Sequence, residues 1–306
     1  MSAVPLVPFL FLLMVLVLAP ALPGIANRTK SALTGRKGAP VLQLYADLAK
    51  LWRKGTVYSR TTTLLFRIGP IVSLAATLVA AALLPLDGRA AILAFPGDLV
   101  AFAGLLGLGR FALVLAAMDT GSSFEGMGAS REVTVAAFAE PALFLCFTVL
   151  VLTTGQLDLS GMLGPSLATA WPLAAPSLVL AAISLFIVTL AETCRVPVDD
   201  PLTHLELTMI HEVMVLDHSG PDLAMILYGG ALKMALFGCL VVGVLVPRSR
   251  QPVALAAAAL ALALVLVAVA VGVVESVMAR LRMNRVPQLL VAASALAGFA
   301  LILLLR

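Results

Sequence analysis

Residues 172–191 read PLAAPSLVLAAISLFIVTLA, and the chain then changes character into ETCRVPVDDPLTHLELTMIHEVMVLDHSGPD over residues 192–222. The first stretch carries no charge and is long enough to cross roughly 30 Å of hydrocarbon as a helix. The second holds seven of the sixteen acidic residues and all three histidines. Ionisable groups beside hydrocarbon are expensive unless they face a bundle interior, a water-filled cavity or another subunit. A span that opens directly onto such a cluster predicts a membrane bundle with a polar, functional end.

The rest of the chain repeats the apolar half of that pattern. Of its residues, 61% are hydrophobic and only 12% charged, with a mean hydropathy of +1.09, far outside the soluble range of about 45–50% apolar and 25% charged. Eight windows reach spanning length, at about 4–26, 63–85, 97–117, 133–154, 172–191, 223–246, 252–275 and 287–305. The fold class is therefore all-α, a polytopic membrane bundle forming one domain over 1–306, with no internal repeat or linker. The first window resembles a secretory signal followed by the small residues of ALPGIA, but it lacks a basic n-region and exceeds the usual 7–15-residue apolar core, so a retained helix is expected.

Lysine and arginine set the orientation. Fourteen lie in or beside the connections after spans 1, 3, 5 and 7, nine of them after span 1 with Arg67 at the head of span 2 included, against four in the other connections and the C-terminus. The bias puts the loops at about 27–62, 118–132, 192–222 and 276–286 in the cytoplasm and both termini across the membrane, and the cell's inner (cytoplasmic) membrane is the expected location. The basic pI near 9.2 is thus a topology signal, and no aromatic-interleaved basic surface suggests nucleic acid. Cys146, Cys194 and Cys239 have neither metal-ligand nor redox spacing and read as reduced, buried small hydrophobes.

Within the first connection, Val41, Leu44, Tyr45, Leu48 and Trp52 recur at helical spacing beside Lys50, Arg53 and Lys54. This predicts an interfacial amphipathic helix, either a surface anchor or a brace across neighbouring helices. The second connection, Asp119–Glu132, is rich in glycine and small polar residues; Ser130 and Glu132 mark the expected start of span 4. Its glycines fit either a flexible loop or a close backbone approach.

In the acidic connection, Asp200-Pro201 is a good helix start and Gly220-Pro221 a good stop, so about seventeen helical residues are expected between them. His204, Thr208, His211 and His218 then share one stripe, with Glu212 near it and Glu206 and Asp217 on another. Haem or metal ligation fits this i, i+7, i+14 spacing poorly; titration near neutral pH and hydrogen bonding to a docked subunit both remain open. Three charges fall inside spans: Arg110, within reach of snorkelling to the cytoplasmic end, and the deeper Glu140 and Lys233, which suggest a buried polar path or an ion pair. Glu192 and Glu275 lie at span ends, where solvation is easier.

Ala191-Glu192-Thr193-Cys194-Arg195-Val196-Pro197-Val198-Asp199-Asp200-Pro201 resembles the AETNRxPFDLPE signature of the quinone-module membrane subunit of respiratory complex I. Gly35-Arg36-Lys37-Gly38-Ala39-Pro40 and the eight spans agree with that family along nearly the whole chain. DTGSSFEGMGASRE (119–132) and HLELTMIHEVMVLDHSGPD (204–222) narrow the resemblance to the branch found in formate hydrogenlyase, hydrogenase-4 and related membrane-bound [NiFe] hydrogenases. Where the quinone branch continues LPEAESEL, this chain keeps Glu206 but has Leu202 and His204 in place of acids, and its stretch to Gly220 is about three residues longer.

The resemblance implies a non-catalytic subunit that docks an iron–sulfur small subunit and a [NiFe] large subunit and links their redox chemistry to proton or sodium movement through antiporter-like membrane subunits. Fe–S clusters and the NiFe centre belong to those partners; this chain is expected to hold no cofactor of its own, with quinone left open. Taking the in-span charges, the charged connections and the resemblance together, the expected ion-coupling or cavity residues are Arg110, Asp119, Glu125, Arg131, Glu132, Glu140, Glu192, Arg195, Asp199, Asp200, His204, Glu206, His211, Glu212, Asp217 and Lys233, with Arg36 and Lys37 in a docking loop. A quinone-binding complex I subunit is the second reading. An autonomous secondary transporter is the third, although the inverted repeats and broken helices it would need are not evident in the sequence.

Overall fold

The computed structural model describes residues 6–199, 209–247 and 252–305, and among them there is no β-strand. The elements are α1 (Leu6–Leu18), α2 (Ala21–Leu33), α3 (Gln43–Trp52), α4 (Leu64–Leu83), α5 (Asp98–Asp119), α6 (Ser123–Thr154), α7 (Leu159–Met162), α8 (Pro165–Glu192), α9 (His211–Met214), α10 (Gly220–Leu245), α11 (Val253–Val277) and α12 (Val286–Leu304). Seven of them, α4, α5, α6, α8, α10, α11 and α12 with its leading turn, are long and apolar enough to cross a membrane. The α1–α2 pair qualifies only jointly, as a span broken by a bend of 44°. The chain is a multi-pass membrane protein.

The break corrects the expectation of one straight first span, and its cause is Pro20. Proline has no N–H, so the carbonyl of Leu16 loses its donor, and the bend leaves the carbonyl of Val17 open as well. Both are satisfied from outside: Tyr228 of α10 donates its hydroxyl to Leu16 O at 3.0 Å, and Tyr45 of α3 donates to Val17 O. The amphipathic helix is therefore a brace. Its packed stripe is Leu44, Tyr45, Leu48 and Leu51, whereas Trp52 lies off that stripe and is exposed. Tyr228→Phe or Tyr45→Phe should each destabilise the fold by about 1–3 kcal/mol, since each leaves a carbonyl without a donor. Thermal unfolding in detergent measures this; unchanged midpoints in both variants would show that the break needs neither hydroxyl.

Helix α10 is central. Residues 231–244 are buried at all but one position, and Phe237 meets Phe102 edge-on, as Phe102 does Phe147. Helices α11 and α12 lie at the periphery and leave most of their surface outward.

The connections sort by parity. The odd ones are fastened together at one end: Ser219 Oγ accepts from Val57 N at 3.1 Å, Glu125 accepts from Asp217 N at 3.1 Å, and Leu281 N donates to Pro197 O at 3.0 Å. Of the even ones, the second and fourth meet at the other: Gly97 N donates to Leu157 O at 3.0 Å, and Asp98 accepts from Leu159 N at 2.7 Å. We call the first the basic end.

Two further expectations are corrected there. The glycine-rich second connection is helix from Ser123 onward, so α6 begins well before the expected boundary at Ser130. Of its glycines, Gly128 serves close approach, since a Cβ there would stand 2.9 Å from the carbonyl oxygen of Ile210, whereas Gly121 takes a positive φ and Gly126 faces open space. Likewise Gly220-Pro221 starts α10, with Ser219 as N-cap and the proline in the first turn. Between Met209 and Ser219 the only helix is the single turn of α9, so His211 and His218 do not share a helical stripe. Asp200, His204, Glu206 and Thr208 lie outside the described residues.

Candidate functional site

The end of α8 builds the site. Helix α8 stops at Glu192, and Cys194 takes the left-handed conformation with φ of 51°. Arg195 N then reaches back to Leu190 O at 2.8 Å and Cys194 N to Ala191 O at 3.1 Å, closing the helix C-terminus. Asparagine tolerates this conformation better than cysteine does, which accounts for the asparagine in the signature that Cys194 interrupts. The turn keeps Glu192 inside the bundle and sends Arg195 back into it. Neither is solvated as a span-end residue would be: the Glu192 side chain is only 5% exposed.

Glu192 is shared by two cations. Arg110 Nη2 lies 2.5 Å from Oε1 and Lys233 Nζ 2.6 Å from Oε2. The same guanidinium places Nη1 2.6 Å from Glu140 and Nε 3.5 Å from Glu132. Arg110 thus presents each of its three nitrogens to a different carboxylate, and it does not snorkel out. Glu140 and Lys233, far apart in sequence, belong to one network through Arg110 and Glu192.

A second cluster faces the first. Arg195 Nη1 stands 3.4 Å from Glu275 and 3.3 Å from the amide oxygen of Asn27, and Lys30 Nζ lies 3.9 Å from Glu275. Gly272 makes this possible. A Cβ there would be 2.5 Å from Ala26 O, so only glycine lets α11 lie on α2 closely enough to bring Glu275, one turn on, to Lys30. Glu275, Lys30 and Asn27 went unassigned in the sequence, although Glu275 is the sole charge in its span, the signal that marks it.

Between the clusters is a cavity of about 270 Å³ lined by Arg110, Glu132, Glu192, Arg195 and Lys233, and also by His211, Glu212 and Leu44 of α3. The remaining predicted residues fasten the loops around it. Asp119 accepts from Thr63 N at 2.6 Å, Thr63 Oγ1 at 2.8 Å and Phe66 N at 3.3 Å, capping α4 from the end of α5. Asp199 accepts from the N–H groups of Ile210 and His211, both at 3.1 Å, and pairs with Arg280 at 2.7 Å. Arg131 donates to Met209 O at 2.8 Å, Glu125 is engaged as above, and Asp217, Arg36 and Lys37 are exposed. Cys146 and Cys239 are buried and Cys194 half-buried. Among the described residues no three His, Cys, Asp or Glu side chains converge as a metal site would require.

His218 settles as packing. Its ring stacks on Phe66 at 4.0 Å and 8°, it is buried, and burial pushes its pKa down from 6.5 to about 4. Since the unfolded chain takes up the proton first, this residue's contribution is complete above pH 6.5 and is lost as pH falls toward 4. NMR titration should show a neutral imidazole at pH 7 and a midpoint near 4; a midpoint at or above 6 would restore it as a sensor near neutrality.

Fold and site together define a polytopic helical membrane protein with a charged, partly apolar cavity under one loop-covered end. The chain belongs to the NADH dehydrogenase family NADHdh, whose model matches residues 6–306. Within the Escherichia coli K12 proteins it is 31% identical over 307 residues to "Formate hydrogenlyase subunit 4", covering 98% of both chains, and 34% identical over 244 residues to "Hydrogenase-4 component C", covering 79% of this chain and 75% of that one. A subunit of the NADH-quinone oxidoreductase of Rickettsia prowazekii is 25% identical over 203 residues, 65% of this chain and 58% of its own. In fold it matches a chain from the archaeal membrane-bound sulfane sulfur reductase with a TM-score of 0.85 at 20% identity, covering 98% and 99%.

Proposed function

We propose that the chain is the membrane-anchoring and ion-coupling subunit of a membrane-bound [NiFe] hydrogenase complex of the formate hydrogenlyase type. Its basic end, for which the charge bias supports a cytoplasmic position at the cell's inner membrane, seats the Fe–S small and NiFe large subunits. The observation that carries this is Glu192, a buried carboxylate at the root of the docking connection, held at once by Arg110 and Lys233. The full-length match to a formate hydrogenlyase subunit supports the branch.

The coupling is electrostatic. At an effective dielectric near 20, one added unit charge at about 12 Å acts on a carboxylate with about 1.4 kcal/mol, or about one pKa unit, which sets the scale on which reduction of a partner's cluster seated over this end would act on Glu192. Glu132, Glu140 and Glu192 carry one negative charge more than Arg110 and Lys233 offset, and the added electron would favour uptake of one proton by this group of carboxylates. The chain itself supplies the seat, the cavity and the three carboxylates; electron transfer belongs to the partner subunits, and the ion passes onward to antiporter-like subunits as H⁺ or Na⁺.

The test is affinity purification of tagged chain from native membranes, with identification of the companions and analysis for nickel and iron. Stoichiometric nickel with a hydrogenase large subunit is the expected result. A companion set with no nickel, or bound quinone in its place, overturns the reading in favour of the complex I branch.

A further inference from the structure

Glu140 is a carboxylate at a depth where the bundle should meet lipid. It lies near the middle of the 32-residue α6, roughly 20–25 Å from either end at 1.5 Å per residue, beside Gly107 at the midpoint of α5. One of its oxygens meets Arg110, yet its side chain is 47% exposed and it does not line the interior cavity. The exposed part therefore points out of the bundle at the depth of the hydrocarbon. One residue on, Pro141 has no N–H to offer Ala137, whose carbonyl thus loses its helical donor on the same outward face. Hydrocarbon can satisfy neither acceptor.

Charge points the same way. Arg110 and Lys233 compensate two of the three carboxylates Glu132, Glu140 and Glu192, leaving one negative charge in this cluster. Arg195 does not cancel it by contact, since its neighbours are Asn27, Glu275 and Met234. Alongside, Gly107 lies against Glu140 and Gly104, about one turn earlier on α5, has nothing packed over it, so that at these two positions another transmembrane backbone can come close.

We infer that the face around Glu140, between α5 and α6, is the contact for a transmembrane helix of a different subunit carrying a lysine or arginine at mid-depth. A second copy of this chain is disfavoured, because a two-fold contact through this face would set Glu140 against Glu140. The inference rests on the proposed role in a multisubunit membrane complex and names the surface through which the charge network continues.

Phe144, one turn beyond Glu140 and exposed, allows the test. In membranes holding the assembled complex, Phe144→Cys carrying a benzophenone maleimide should, on illumination, join to another integral membrane polypeptide, within about one turn of a lysine or arginine in a transmembrane segment. Glu140→Lys should lower that adduct at least tenfold, and exchanging the mapped cation for glutamate should restore it; if Glu140→Lys reduces the amount of chain in the membrane, Glu140→Gln should lower the adduct to a lesser degree. Adducts with lipid alone, with a second copy of this chain or with a helix lacking a basic residue overturn the inference, as does an adduct indifferent to both substitutions. The nickel assay separates this from the reading it rests on: nickel present with a lipid-only adduct removes the inference alone, and a cationic-helix adduct without nickel removes only the hydrogenase assignment.

Discussion

Arg110→Met is expected to lower the unfolding midpoint by roughly 5–15 °C, the consequence of losing about 3–5 kcal/mol when a buried charge partner is removed. The size follows from the geometry. Arg110 holds Glu132, Glu140 and Glu192 with three separate nitrogens, so the substitution takes the cluster from one uncompensated negative charge to two and leaves only Lys233, on Glu192, to offset them. Arg110→Lys keeps the charge but has a single ammonium for three directions; it should recover only part of the loss. The double variant Arg110→Met with Glu192→Gln should recover more than the sum of the single effects allows, because it restores the original charge balance. Melting of the purified chain in detergent, with far-UV circular dichroism, measures all three. A wild-type midpoint for Arg110→Met would mean that these carboxylates do not depend on it.

Much of this arrangement is legible in the sequence and some is not, for physical reasons. Spans are read well because the hydrocarbon imposes one length and one chemistry on each; the windows at 63–85 and 252–275 agree with α4 and α11 to within two residues. Caps are read less well because the same residues mark starts and stops. Gly220-Pro221 has the glycine that ends helices and the proline that begins them, and only the packing of α10 decides which applies. The Asp119–Glu132 stretch has loop composition, yet its small residues are what let a helix pass under α9, as Gly128 does against Ile210.

Burial is the quantity that sequence reading misses most. Glu192 and Glu275 stand at span ends, where chain position suggests water, and both are enclosed because the connections fold back over them. The broken first span is missed for the converse reason. Pro20 lies in a run apolar enough to be one helix, and the break is stable only because Tyr45 and Tyr228, from distant segments, meet the freed carbonyls. The in-span charges Arg110, Glu140 and Lys233 are visible without a structure, since nothing apolar would put them there; that Arg110 and Glu192 join them is not.

Glu192→Gln is expected to leave the chain folded and assembled while reducing coupled ion movement on the order of tenfold or more. The contrast with Arg110→Met is one of sign. Removing the carboxylate charge brings the cluster to neutrality with Arg110 and Lys233 still present; the amide oxygen can still accept from Arg110, while Lys233 loses its acceptor and turns to the cavity it lines, so the fold should shift less than in Arg110→Met. The response to an electron nearby is what disappears, because a neutral amide has no proton to gain or lose and no charge for the field to act on. Lys233→Met should give a similar defect from the other side of the same pair, with a larger effect on stability. Glu206→Gln, whose position lies outside the described residues, tests whether the pathway begins in the connection itself. The measurement is proton or sodium movement alongside hydrogen evolution in proteoliposomes of the complete complex. If Glu192→Gln evolves hydrogen and moves ions at wild-type rates, Glu192 is a structural anchor for Arg110 and the coupling runs elsewhere.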